Sequence, residues 1–198
     1  MTDEILFDIR NHIGHITLNR PAAFNALTHS MIKIMHAKLL EWERDKNIYA
    51  VVMRGAGEKA FCAGGDIRAV YDSVTSGGDL HKNFFVDEYE FDFYMHKYRK
   101  PVVVLMDGVV MGGGVGLAMA AALRVVGDKT KFAMPETNIG FFPDVGATYF
   151  LSRLLGHLGE YLGITGAQLK AADCLYAGIS DVYLTPEQWK ALDVQLDN

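Results

Sequence analysis

One stretch limits what this chain can fold into more than any other: Asp107-Gly108-Val109-Val110-Met111-Gly112-Gly113-Gly114-Val115-Gly116-Leu117. It follows Val102-Val103-Val104-Leu105-Met106, an apolar run of strand length and β-branched character. After it come residues 117–123, rich in Ala and Leu, which read as helix. Strand, glycine turn and helix together present orphan backbone N–H groups where the helix dipole favours negative charge. Glycine lets a ligand approach that backbone closely. A dinucleotide fingerprint fails, because Leu117 stands where the third glycine after Gly112 and Gly114 belongs. A phosphate-binding P-loop fails too, since no Gly-Lys-Ser/Thr follows. Two readings remain: an oxyanion hole with a glycine N–H aimed at a developing negative oxygen, or a glycine-lined helix packed tightly on its strand.

Composition narrows the setting. With 198 residues, 50% of them hydrophobic, the chain can bury a substantial core as one domain. A net charge of −5 argues against nucleic acid or an anionic membrane as the main partner. No apolar run reaches membrane-spanning length, and the start Met1-Thr2-Asp3-Glu4 is unlike a signal or transit peptide. Cys62 and Cys174 are far apart and lack metal-type spacing. The expectation is a cytoplasmic protein without a metal.

Along the chain, Ile5–Arg10 and residues 15–19 read as strands joined by a turn at 11–14. Thr28 is the natural cap of a helix carrying Met31, Met35, Leu39 and Trp42 on one face. Residues 49–53 form a buried strand, which completes a βαβ unit. Residues 54–66 read as a loop ending in Phe61-Cys62-Ala63-Gly64-Gly65-Asp66, the start of a helix over 67–72. Two glycine turns of this kind in one domain can give two N–H donors to one oxygen. Cys62 has no recognisable His partner and reads as a packing residue rather than a nucleophile. Residues 73–79 suggest a mobile loop and 80–98 a helix, with Glu88 on the same stripe as Phe84, Phe91 and Met95. A carboxylate on an apolar face is either partnered or functional.

Residues 124–127 are a further candidate strand. Beyond them, Glu136 and Asp144 stand among Met134, Ile139, Phe141 and Phe142, each directly after a proline. Apolar surroundings raise a carboxyl pKa by desolvation, which suits acid–base work near neutral pH. The competing reading is a pair of loop carboxylates capping helices. Residues 147–155, 157–163 and 168–176 read as helices and 181–184 as a short strand. Thr185 and Pro186 open a final helix.

Taken together, Asn19-Arg20-Pro21, Asn25-Ala26-Leu27, Phe61 through Asp66, the triple glycine and Pro135-Glu136 resemble the crotonase (enoyl-CoA hydratase/isomerase) superfamily, in family order over residues 14–184. Within it, the glycine run, Met134-Pro135-Glu136-Thr137 and Gly140-Phe141-Phe142-Pro143-Asp144-Val145-Gly146 most resemble members that hydrolyse short-chain 3-hydroxyacyl-CoA thioesters of the 3-hydroxyisobutyryl-CoA kind. The resemblance implies an α/β fold, a spiral of ββα turns, with residues 1–198 forming a single catalytic core whose C-terminal helical part is largely absent. It implies a thioester carbonyl held between the N–H groups of Gly65 and Gly113, with Phe24, Ala26, Ala63, Gly65, Asp66 and Ile67 lining coenzyme A. Glu136 would act as general base or as the nucleophile of an anhydride. Asp144 would orient the substrate hydroxyl or assist proton transfer, and Glu88 would contact substrate. Hydratases carry one of their two glutamates where this chain has Gly116, so the water-addition machinery looks incomplete. The implied partner is an acyl-CoA, with coenzyme A as part of the substrate rather than a cofactor, and a homo-oligomer is expected. Alternatives are an enoyl-CoA isomerase or hydratase, or a non-catalytic acyl-CoA-binding fragment.

Overall fold

The computed structural model describes residues 4–197; the first three residues of the acidic start lie outside it. Strands β1 (Ile5–Arg10) and β2 (Ile13–Leu18) form an antiparallel hairpin, Ile5 opposite Leu18 and Arg10 opposite Ile13. Its turn is only Asn11-His12, both at positive φ (48° and 65°), as a two-residue turn matching the strand twist requires. For that reason β2 begins two residues earlier than the sequence pattern suggests. Helix α1 (His29–Arg44) starts where Thr28 Oγ1 accepts from Met31 N at 3.2 Å, and Met31, Met35, Leu39 and Trp42 are buried. Strand β3 (Ala50–Gly55) returns parallel to β2 and completes the βαβ unit.

The rest of the chain lays strands alternately into two sheets. After β3 come β4 (Ala60–Cys62), α2 (Ile67–Thr75) and α3 (Leu80–His96). Next are β5 (Val102–Met106), β6 (Val109–Met111), α4 (Gly113–Met119), β7 (Leu123–Val126) and β8 (Lys131–Ala133). A 3₁₀ turn (Glu136–Ile139), α5 (Ala147–Leu151), α6 (Leu158–Thr165), β9 (Leu169–Lys170), α7 (Ala171–Tyr176), β10 (Val182–Tyr183) and α8 (Pro186–Asp197) finish it. One sheet runs β1-β2-β3-β5-β7-β10 and the other β4-β6-β8-β9. Successive pairs β3/β4, β5/β6 and β7/β8 each give one strand to each sheet, which is a spiral of ββα turns.

Three expectations change. Residues 54–66 are not all loop, because β4 lies within them, and β6 occupies part of the supposed glycine turn. Strands of three residues are too short for alternation to betray. The helix after the glycines is Gly113–Met119 rather than 117–123, and Leu123 already pairs with Val103 in β7. The stretch 73–79 is a hydrogen-bonded joint between α2 and α3, with Gly78 N on Ser73 O at 2.7 Å and Leu80 N on Ser73 Oγ at 3.2 Å. Most of the core lies between the sheets and under α1 and α3; α8 covers the outer face through Trp189 and Leu192 against Val52, Leu105 and Val125.

Candidate functional site

Two glycine turns meet at the end of the smaller sheet. Between β6 and α4, Gly112 takes φ 50° and ψ −124°, a conformation that side-chain-bearing residues resist, and its carbonyl accepts from both Val115 N and Gly116 N. Between β4 and α2, the Gly64-Gly65 turn is gripped by Leu27: Leu27 N donates to Gly64 O and Asp66 N to Leu27 O, both at 2.8 Å. A side chain on Gly113 would begin 3.3 Å from Gly65 N, so the two backbones lie against each other. Among the hydrogen bonds of the described residues, neither Gly65 N nor Gly113 N has a backbone acceptor.

The segment holding Leu27 is itself built around a buried amide. Asn25, fully buried at φ 56°, accepts from Arg20 N and donates to Ala56 O and Ala60 O at 3.0 and 2.8 Å. Arg20 reaches Ala26 O at 2.6 Å and Asp66 Oδ2 at 2.9 Å. Ala63 N donates to Phe24 O at 3.0 Å. Phe24, Ala26, Ala63, Gly65, Asp66 and Ile67 are thereby gathered on one side of the glycine turns, with Phe24 and Ile67 exposed. Lys59 joins them with Nζ 5.8 Å from the centre of the Phe24 ring, a neighbour that sequence order did not suggest.

On the other side stand four carboxyl groups. Glu88 and Asp92 are one turn apart on α3; both are buried. Glu136 opens the 3₁₀ turn after Pro135, also buried, and Asp144 Oδ2 accepts from Tyr89 Oη at 2.6 Å. The glycines of α4 leave room for these acids. A side chain on Gly113 would collide with Glu88 Oε1, one on Gly112 would start 3.1 Å from Glu136 Oε1, and one on Gly116 would start 2.7 Å from both Asp92 Oδ2 and Val145 Cβ. The structure thus brings together Gly65, Gly113, Glu88, Glu136 and Asp144. Asp92 and Tyr89 were missed, although Asp92 falls four residues after Glu88 and therefore on its helix face.

Among the described residues, the charges that act on this group are all acidic. Burial is the main force raising Glu88 to about 8, followed by the charges of Asp144 and Glu136. Burial, then Glu88 and Asp144, raises Asp92 well above its ordinary value. Glu136 rises to about 7, chiefly by burial and further by Asp144, against a backbone hydrogen bond that lowers it. Asp144 is raised by burial, partly offset by the Tyr89 hydroxyl. Glu88 Oε1, both Asp92 oxygens and Glu136 Oε2 are buried without a hydrogen-bond partner among the described residues. Such groups are rare in native folds and call for an explanation. Cys62 is fully buried and its thiol is pushed up to about 12, so it packs rather than attacks. Among the described residues no group of three or more His, Cys, Asp or Glu is arranged to hold a metal ion. A cavity of about 880 Å³ adjoins the acids, with Tyr89, Asp92, Gly116 and Val145 in its lining together with Phe93, Tyr149 and Leu155. Gly113, Glu136 and Asp144 are not in that lining, so the cavity lies beside the acids rather than on top of the glycine turns.

Residues 13–198 match the enoyl-CoA hydratase/isomerase family. Over 193 residues the chain is 47% identical to the mitochondrial 3-hydroxyisobutyryl-CoA hydrolase of Danio rerio, a match covering 98% of this chain and 50% of that protein. It is 45% identical over 197 residues to small ribosomal subunit protein mS47 of Neurospora crassa, covering 98% of this chain and 39% of that one. The crystal structure of a carnitinyl-CoA dehydratase from Mycobacterium thermoresistibile superposes with a TM-score of 0.92 at 44% identity, over 96% of this chain and 56% of that chain. The chain spans about half the length, or less, of the curated relatives it matches. The expectation of a cytoplasmic location is overturned by these hydrolases, whose names place them in mitochondria.

Proposed function

The chain belongs to the enoyl-CoA hydratase/isomerase (crotonase) family, and on that premise we propose that it hydrolyses a short-chain 3-hydroxyacyl-CoA thioester, of the 3-hydroxyisobutyryl-CoA kind, to the hydroxy acid and free CoA. The observation that carries this reading is the position of Glu136, whose Oε1 faces Gly112 beside the paired turns of Gly65 and Gly113. Coenzyme A lies along Phe24, Ala26, Ala63, Gly65, Asp66 and Ile67, and the thioester oxygen sits between the N–H groups of Gly65 and Gly113. Attack on the carbonyl places negative charge on that oxygen, and fixed donors stabilise it more than the ground state. Glu136, with a pKa near neutrality, takes a proton from water. The water oxygen attacks the carbonyl carbon, the C–S bond breaks, and the departing thiolate receives the proton. Direct attack by Glu136 to give an anhydride uses the same placement. Glu88 touches the acyl group next to the carbonyl, and Asp144, steadied by Tyr89, assists the proton transfers. No cofactor is required beyond the CoA of the substrate.

A thiol-reactive dye tests this directly with 3-hydroxyisobutyryl-CoA. Glu136→Gln keeps the shape and removes the base, so turnover should fall by about 10²–10⁴ with affinity little changed; near-parent turnover sinks the mechanism. The relationship to small ribosomal subunit protein mS47 favours a second reading, a subunit that binds without turnover. Acyl-CoA binding with no thiol release from the parent would select it.

A further inference from the structure

Helices α3 and α4 set acids against glycines in two successive rungs. Glu88 Oε1 lies against Gly113, and one turn further on Asp92 Oδ2 lies 2.7 Å from where a Gly116 side chain would begin. The mechanism above uses the first rung and leaves the second idle. Asp92 is 8% exposed, and neither of its oxygens has a hydrogen-bond partner among the described residues. The charged groups acting on it are Glu88 and Asp144, with no basic side chain among them. A buried polar group without a partner is costly and calls for an explanation. Asp92 also lines the 880 Å³ cavity, together with Tyr89, Gly116 and Val145. Gly116 lies about 4.5 Å beyond Gly113 along the helix axis. An acyl chain whose carbonyl oxygen rests at Gly113 and which runs along α4 brings its third carbon to this second rung.

We propose that Asp92 is a specificity-determining residue that hydrogen-bonds the hydroxyl on the third carbon of the acyl group, so that the pocket favours 3-hydroxyacyl over unsubstituted acyl thioesters. This rests on the reading of the site as an acyl-CoA site. Burial and the neighbouring acids push Asp92 toward its protonated form, and either form of the carboxyl can accept from a substrate hydroxyl while the protonated one can also donate to it.

The test compares 3-hydroxypropionyl-CoA with propionyl-CoA, by calorimetric affinity and by thiol release, in the parent, Asp92→Asn and Asp92→Leu. The amide keeps a donor and an acceptor, so Asp92→Asn should hold the parent preference to within about twofold. Asp92→Leu should lower that preference by roughly 2- to 10-fold, the worth of one hydrogen bond, and leave propionyl-CoA affinity unchanged. Leucine removes an unpartnered acid at similar volume, so the variant should melt no lower than the parent. An unchanged preference in Asp92→Leu, or an equal loss in Asp92→Asn, overturns the proposal. A parent that binds neither 3-hydroxypropionyl-CoA nor propionyl-CoA removes the acyl-CoA reading itself, before any variant is compared.

Discussion

Replacing Glu88 with glutamine should flatten the dependence of stability on pH. Glu88 is 3% exposed, its Oε1 has no partner among the described residues, and its carboxyl is raised from 4.5 to about 8. Burial is the largest cause, and Asp144 and Glu136 add like charge. Between those two values the unfolded chain has released the Glu88 proton while the folded chain retains it. Raising the pH therefore favours unfolding. The contribution is fully present below pH 4.5 and gone above about 8. Over that window of about 3.5 pH units, at about 1.4 kcal/mol each, the ceiling is about 5 kcal/mol. Relaxation of Asp92, Glu136 and Asp144 lowers the amount realised. Glutamine cannot titrate, so its fixed cost or benefit cancels when the slope rather than the offset is read. Urea unfolding of parent and Glu88→Gln from pH 5.5 to 8 should show the variant gaining on the parent by up to about 3 kcal/mol, with unchanged m-values. Parallel stability curves across that window would refute the argument.

Three further outcomes are expected. The pH profile of kcat/KM should rise through about 7 as Glu136 loses its proton, because a general base works only when ionised; a flat profile from pH 6 to 8 contradicts the base role. Gly113→Pro deletes the proposed N–H donor and presses carbon into Glu88 Oε1 and against Gly65 N, so it should destabilise the fold by about 1–3 kcal/mol and cut turnover by about 10²–10³. Thiol release at the parent rate from this variant, shown folded by circular dichroism, would count against Gly113 as a donor. Crotonyl-CoA should keep its enoyl absorbance while hydroxyacyl-CoA releases thiol; the reverse pattern restores the hydratase alternative.

Long elements and strong local signals were legible in the sequence. Thr28 as cap, the Met31–Trp42 face, and the β-branched run at Val102–Met106 all come from residues whose preference agrees with their place. The three-residue strands β4, β6 and β8 were not legible, because they are fixed by pairing with one another rather than by any local pattern. Glu88 stood out as an acid on an aromatic stripe, yet Asp92 did not, although the same stripe carries it. What distinguishes Asp92 is the space left by Gly116, which lies on a different helix and is visible only once α3 and α4 are packed. The glycines of α4 showed the opposite limit. Their number advertised close approach, but the approaching groups are carboxyls as well as backbone.

The grip of Leu27 on the Gly64-Gly65 turn has a consequence for how this molecule loses its competence. The Gly65 turn owes its position to a segment near the N-terminus, which Arg20 and Asn25 hold in place, Asn25 in part through the Ala60 carbonyl of β4. We predict that this clasp opens before the sheets melt, since local opening there misplaces Gly65 without unpairing any strand. Warming should then silence the site while far-ultraviolet ellipticity is still intact, and amide exchange at Leu27 and Asp66 should quicken before that of β3 or β5. That tether joins distant parts of the chain, and the arrangement of the two turns is only as durable as it is.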